Sequence, residues 1–298
     1  MYPRGQFLQT TCSKNENLYP VCDSQNDEKC AKTCYWRHFG QEEDEEDLAH
    51  WTHWVKKRMA HVKEMCSYVD MFVAPSQYLL QRFTNEFALS PSKIVYLDYG
   101  FDLKRLLGRE RYQEADFVFG YIGTHKQAKG ILHLLQAFAT APENASLRIW
   151  GSPLEPFTRS LKDYVKTLSE PAQNQIHWMG GYRNHRIIED VFNHCDAIVV
   201  PSIWGENSPL VIHEALEAGV PVITANYGGM KEYIHHEING LLFEHRSPSS
   251  LAKQMKQFVM DREFAQRLGQ RGYLQSDDGH ILSIQTHAEQ IESLYTSI

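Results

Sequence analysis

Residues 201–224 read Pro-Ser-Ile-Trp-Gly-Glu-Asn-Ser-Pro-Leu-Val-Ile-His-Glu-Ala-Leu-Glu-Ala-Gly-Val-Pro-Val-Ile-Thr, and their order decides the fold class. The run before them, from Asp196 to Val200, is short, apolar and ended by Pro201, as in a buried strand. A polar loop, a helix start and a second strand follow. Ser208 suits the N-cap and Pro209 the first helical position, where a missing N–H costs no hydrogen bond. The N–H groups of Leu210 and Val211 then point out of the helix start, and the macrodipole makes that end attractive to a phosphate. Glu206 lies in the loop and Glu214 about one and a half turns inside the helix. Carboxylates accept hydrogen bonds from hydroxyls, so a ligand with a central diphosphate and hydroxyl-rich ends suits the segment better than a simple nucleotide. Each feature also has a plain structural use: caps and prolines occur in any open α/β sheet, and helix acids are commonly just solvated.

Working outward, strands are expected near 117–123, 146–151, 175–180, 196–200, 220–224 and 240–244, with helices between them. This alternation predicts one parallel sheet covered on both faces, with ligands at the carboxyl ends of its strands. Upstream, a helix is expected from the acidic run Glu42–Asp47 to about Cys66, a strand over Met71–Pro75, a helix over Gln77–Phe87 and a strand over Ile94–Leu97. Residues 103–116 are charged and without period, as in a linker.

Glu206 and Glu214, with seven residues between them and Ala-Leu-Glu-Ala-Gly-Val-Pro-Val-Ile after them, resemble the signature of retaining glycosyltransferases of the GT-B fold, family 4 (group 1) type. Phe119–Gly123 through Lys129–Ile131, Leu147–Gly151, Ile176–Gly181, Tyr227–Glu232 and Asn239–Phe243 resemble further strand ends and turns of its donor domain, in the same order. The resemblance implies an α/β chain with a complete C-terminal, doubly wound Rossmann-like donor domain and an incomplete N-terminal Rossmann-like domain. The boundaries it implies are a partial acceptor-side domain at 1–98, a linker at 99–116, the donor domain at 117–280 and a helix at 281–298 crossing back. Only two strands are legible before the linker, so the chain is expected to lack roughly the first hundred residues of the usual plan, as judged from domain size.

The resemblance also implies roles. The donor is a nucleotide-diphosphate sugar, UDP- or GDP-linked, and no cofactor is needed. Lys129 meets the diphosphate as a point charge, although an exposed lysine is ordinarily only a solubilising one. Many relatives carry an Arg after the glycine equivalent to Gly123, where this chain has Thr124 and His125, so neutralisation rests on Lys129 and the helix start at Asn207, Ser208, Pro209, Leu210 and Val211. Glu206 holds hydroxyls of the donor sugar and Glu214 those of the ribose. Backbone groups at Gly180, Gly181 and Tyr182 meet the base, and Gly228 and Gly229 let backbone approach the sugar phosphate or simply turn the chain. Glu206 and Lys129 are the candidate catalytic residues. A glycosidase needs an acid and a base or nucleophile flanking the scissile bond, and this pair is better placed around an anion site. No metal is implied, since no Asp-x-Asp clamp stands in a suitable place. His177, His185, His194 and His213 have no evident carboxylate partner and read as structural or surface residues.

Composition excludes more than it selects. A net charge of −7 argues against a nucleic-acid binder. No apolar run approaches a membrane span and the start is no signal peptide, so the chain reads as cytoplasmic. Trp51, Trp54 and Met59 beside Lys56, Lys57 and Arg58 suit core packing first, and second a peripheral position at the inner face of a membrane, where lipid-linked acceptors lie. Cys12, Cys22, Cys30 and Cys34 read first as thiols, then as a structural metal site, and last as disulfides. The loop after the 117–123 strand lacks Gly-x-Gly-x-x-Gly and no acid follows at the ribose distance, which makes a Rossmann dehydrogenase a distant reading. Two readings stand: transfer of a sugar to a polysaccharide or lipid-linked glycan acceptor, and a non-catalytic nucleotide-sugar binding fragment that needs a further N-terminal half.

Overall fold

A computed structural model describes residues 24–35, 45–87 and 89–297. The chain divides into two compact units, which meet in sequence between Leu97 and Asp98. The first holds helices α1 (Asp27–Cys34) and α2 (Glu45–Ser67), strand β1 (Phe72–Ala74), helix α3 (Gln77–Phe87) and strand β2 (Ile94–Tyr96). β1 and β2 pair in parallel, Val73 opposite Val95. Their core gathers Cys30, Tyr35, Val55, Met59, Ala74, Phe87 and Ile94. Trp51 stacks on Tyr35 with ring centroids 5.1 Å apart, and Met59 is buried, whereas Trp54 stays partly exposed. No helix among the described residues is long and apolar enough to cross a membrane. Cys30 is buried and Cys34 half-buried; Cys12, Cys22 and the acids Glu42 to Asp44 lie outside the described residues.

The second unit opens with a 3-10 turn at Leu103–Leu106 and continues through β3 (Phe117–Ile122), α4 (Ile131–Phe138), β4 (Ala145–Trp150), α5 (Phe157–Val165), α6 (Glu170–Asn174) and β5 (Ile176–Gly180). There follow α7 (Ile187–Asp190), β6 (Ala197–Val200), α8 (Leu210–Glu217), β7 (Val222–Ala225), α9 (Met230–Tyr233) and β8 (Gly240–Phe243). α10 (Pro248–Met260), α11 (Arg262–Gln270) and α12 (Ile284–Thr296) complete it. The six strands form one parallel sheet in the order β5-β4-β3-β6-β7-β8. Each lies within about two residues of the run expected for it, because strands covered on both faces are continuous apolar runs bounded by turns. Phe117, Val118 and Phe119, next to one another in β3, are all buried.

Chain order runs outward from β3 to β5, then returns to β6 beside β3 and runs outward the other way to β8. The switch point thus falls between β3 and β6, where diverging loops leave a crevice beyond the strands' carboxyl ends. Residues 99–116, read as a linker, belong to this second unit. Phe101 pairs with Ser283 in a parallel bridge, and the Asp98 carbonyl accepts from the His287 ring at 2.8 Å on α12.

Candidate functional site

The loops after β3 and β6 are held together through backbone. Gly130 is in the left-handed region at φ 72°, and a Cβ there would sit 1.8 Å from the Pro201 carbonyl oxygen. Only glycine allows the turn carrying Lys129 to close against the end of β6. The Ile203 N–H donates to the Ala128 carbonyl at 2.9 Å across the same seam. A second close approach occurs at Gly229, where a Cβ would lie 1.6 Å from the Asn207 carbonyl oxygen. The Gly229 N–H donates to the Glu206 carbonyl at 2.8 Å. At Gly228, with φ 61°, a Cβ would lie 2.9 Å from the Gly205 Cα, so Gly228 and Gly229 together let the 227–229 turn press on the backbone of residues 205–207.

Lys129 and Glu206 meet across this seam, with Nζ 2.7 Å from Oε1. The Ser202 hydroxyl donates to the same oxygen at 2.7 Å, and the Trp204 ring centroid lies 5.7 Å from the ammonium. Glu206 and Ser202 are buried, while the Lys129 side chain keeps 36% of its surface. The ammonium thus neutralises a carboxylate withdrawn from water and still faces solvent.

The helix start differs from expectation. α8 begins at Leu210 with Pro209 as its cap, and no side chain caps it. Ser208 is turned inward instead: its hydroxyl donates to Asp98 Oδ1 at 3.2 Å and accepts from the Tyr233 hydroxyl at 2.9 Å. A capping hydroxyl accepts from a first-turn N–H through its oxygen; here that oxygen accepts from the Tyr233 hydroxyl, and the proton is drawn to a buried carboxylate. The N–H groups of Leu210 and Val211 still lack helical partners, as in any first turn. His213 is corrected as well. It is fully buried, and its Nε2 lies 2.8 Å from Asp98 Oδ2, a carboxylate 115 positions earlier.

Asp98 is the centre of this buried network. The Tyr273 hydroxyl donates to its Oδ2 at 2.7 Å and the Tyr99 N–H to its Oδ1 at 2.8 Å. Burial alone would raise this carboxyl; the hydrogen bonds from His213, Tyr273 and Tyr99 outweigh burial and hold it below the usual carboxylate range.

Glu214 has a cation of its own. Arg105 Nη2 lies 2.5 Å from Glu214 Oε1, and Arg105 Nη1 donates to Asn184 Oδ1 at 3.0 Å. Burial pushes the Glu214 carboxyl up, and Arg105 works against that. The Tyr182 hydroxyl nearby is raised by burial too, with the Glu214 charge adding to it. Sequence reasoning did not single out Arg105. One local signal was present: Asp102 caps the turn, its Oδ1 accepting from the Lys104 N–H at 3.1 Å, and Leu103 and Leu106 stand three apart as an apolar pair.

Lys129, Tyr182, Glu206, Asn207, Ser208, Pro209, Leu210, Val211 and Glu214, with Gly123, line one cleft of about 760 Å³ at the switch point. Arg105, Asn184, Asp102, Tyr99, Gly100, Phe101 and Ile122 also line it. Thr124 and Gly181 do not: the Thr124 carbonyl accepts from the Tyr121 hydroxyl at 3.2 Å, and Gly181 is exposed beyond β5. The cleft wall carries the carboxylates of Glu206 and Glu214, each paired with one cation, and a helix start with unpaired N–H groups. Such a wall can hold hydroxyls and a diphosphate together.

Solved structures place the fold. That of Anabaena Alr3699/HepE in complex with UDP and glucose superposes with a TM-score of 0.71 at 19% identity, covering 81% of this chain and 67% of that one. The architecture is the α/β fold of GT-B glycosyltransferases. The model of glycosyl transferases group 1 matches residues 107–275, more than half of the chain, which therefore belongs to that family. Among curated relatives, the putative glycosyltransferase YtcC of Bacillus subtilis is 28% identical over 72% of this chain and 57% of its own length. The uncharacterized glycosyltransferase MJ1607 of Methanocaldococcus jannaschii is 28% identical over 51% of this chain and 38% of its own. The chain thus spans about half the length of these two relatives.

Proposed function

We propose that the chain moves a sugar from a UDP- or GDP-linked donor to a hydroxyl of a polysaccharide or lipid-linked glycan, retaining the anomeric configuration as enzymes of family 4 do. The observation that carries this reading is the pairing of two buried carboxylates, Glu206 and Glu214, each with its own cation, in one cleft beside the start of α8. Glu206 orients the hydroxyls of the donor sugar and Glu214 those of the ribose. The diphosphate lies against Lys129 and the N–H groups of Leu210 and Val211. As the bond from the anomeric carbon to the diphosphate oxygen breaks, negative charge grows on that oxygen, and Lys129 with the helix start stabilises it. The acceptor hydroxyl attacks from the same face and forms the new glycosidic bond, its proton passing to the departing diphosphate. The HepE complex with UDP and glucose supports a donor of this class. An acceptor carried by lipid would bring the chain to the inner face of a membrane, where the exposed Trp54, Met65 and Tyr68 of the first unit suit an interface.

Calorimetry with UDP and GDP tests the donor site. One of them is expected to bind, and Glu214→Ala to weaken it at least about tenfold, the worth of a charge-assisted hydrogen bond. An unchanged affinity would remove Glu214 from the site. Turnover with donor in excess separates transfer from donor holding alone.

A further inference from the structure

We infer that Arg105 is a positioning residue for the donor: fastened by Asn184, it holds Glu214 ionised and oriented in the cleft so that this carboxylate can accept the hydroxyls of a nucleotide-sugar ribose. The inference rests on the donor reading above and adds a residue from outside the sheet to it. Its geometric basis is complete on one side of the cleft. Arg105 comes from the 3-10 turn at Leu103–Leu106, more than a hundred positions before α8, and places Nη2 2.5 Å from Glu214 Oε1. Nη1 is fixed twice on Asn184, at 3.0 Å from Oδ1 and 3.3 Å from the carbonyl oxygen. Both charged side chains are largely withdrawn from water, with 15% and 7% of their surface left. The recorded contact engages Oε1 alone, which leaves Oε2 available to a ligand in the cleft that Glu214 lines.

A carboxyl this deep needs a reason to stay charged. Desolvation favours its neutral form, and a neutral carboxyl presents fewer acceptor positions to ribose hydroxyls. The groups facing Glu214 are few. Arg105 approaches from the 3-10 turn, Tyr182 from the loop after β5, and His213 from α8 itself, its ring engaged by Asp98. Tyr182 is a phenol, neutral or anionic in either protonation state, so it supplies no positive charge. Burial raises the Glu214 carboxyl, and Arg105 is the largest influence drawing it back. A planar guanidinium suits this work because it stays protonated when buried and bonds two partners in fixed directions.

Two variants separate charge from packing. Arg105→Gln keeps hydrogen-bonding capacity and drops the charge, whereas Arg105→Lys keeps the charge and drops the fork. The probes are UDP-glucose and GDP-glucose, whose diphosphate is doubly esterified and carries no proton titrating near neutrality. The wild type is expected to bind one of them with nearly constant affinity from pH 6 to pH 8. For Arg105→Gln the affinity should fall at least about fivefold over that range as pH drops, because Glu214 becomes protonated. Arg105→Lys should weaken binding by less than Arg105→Gln and leave the profile nearly flat. Equal losses in both variants with no pH slope would overturn the inference and leave Arg105 a packing residue.

A readout without ligand keeps the two levels distinct. At pH 7 the infrared spectrum of Arg105→Gln should show a protonated carboxyl band that is missing from the wild type and from Arg105→Gln with Glu214→Gln. Absence of that band overturns the inference whatever binds. If the band appears but the wild type binds neither sugar nucleotide, the donor reading fails and takes the ribose half of the inference with it.

Discussion

Glu206 and Glu214 look alike in the sequence and are built differently in the fold. Each is a buried carboxylate in the same cleft with one cationic partner. Glu206 draws its surroundings from two strand ends that lie side by side: Lys129 after β3 and Ser202 after β6. Glu214 draws them from a turn that precedes the sheet and from the loop after β5. The lysine is a compact charge on a flexible stem with 36% of its side chain in water, and the arginine is a fixed fork with 15%. One station can exchange its cation between carboxylate and ligand; the other is anchored. Under the proposed function, the difference separates a place where charge changes during transfer from a place where the donor is held still.

The largest expected effect falls on the anchored station. Glu214→Ala leaves the Arg105 charge buried without its counterion and should cost about 3 kcal/mol of folding stability. Urea unfolding would show a lower midpoint at constant slope, and a loss equal to that of Glu206→Ala would erase the contrast. Lys129→Ala should behave oppositely. Its exposed ammonium contributes at most about 1 kcal/mol to stability, yet kcat should fall about a hundredfold if it meets the leaving diphosphate. Steady-state rates at saturating donor, read beside the unfolding curve, decide that. Ser202→Ala removes one of the two donors to Glu206 Oε1 and should cost about 1 kcal/mol.

Asp98 supplies the control for both, because it is a buried carboxylate that the fold keeps low instead of raising. Such a group adds stability above its unfolded value, about 3.9, and loses it as pH falls through the depressed folded value. Stability should therefore drop on acidification below about pH 4, and Asp98→Asn should flatten that limb of the curve while lowering stability at neutral pH. A titration of the unfolding midpoint against pH measures both.

These contrasts explain what the sequence could disclose. The strands were legible because Phe117–Ile122 and Ala197–Val200 bury both faces, which leaves apolar runs with sharp ends. The carboxylates were legible because the loop and helix that carry them are contiguous. Arg105 and Asp98 were not, since their partners Glu214 and His213 lie 109 and 115 positions away. An ion pair formed across such a distance leaves no period behind. Ser208 misled for a related reason: as a local signal it reads as a cap, but Asp98 and Tyr233 claim its hydroxyl once the chain is folded.

The Asp98 network also decides where the chain can be cut. A fragment begun at Phe117, where the alternating pattern restarts, would discard Asp98 and strand the hydrogen-bonding groups of His213 and Tyr273 in an apolar interior. A boundary placed before Asp98 retains the carboxylate with its acceptor oxygens filled and carries Arg105 along. For an experimenter seeking the smallest piece that folds and holds a donor, those nineteen residues from Asp98 to Asp116 are part of the domain and not its leash.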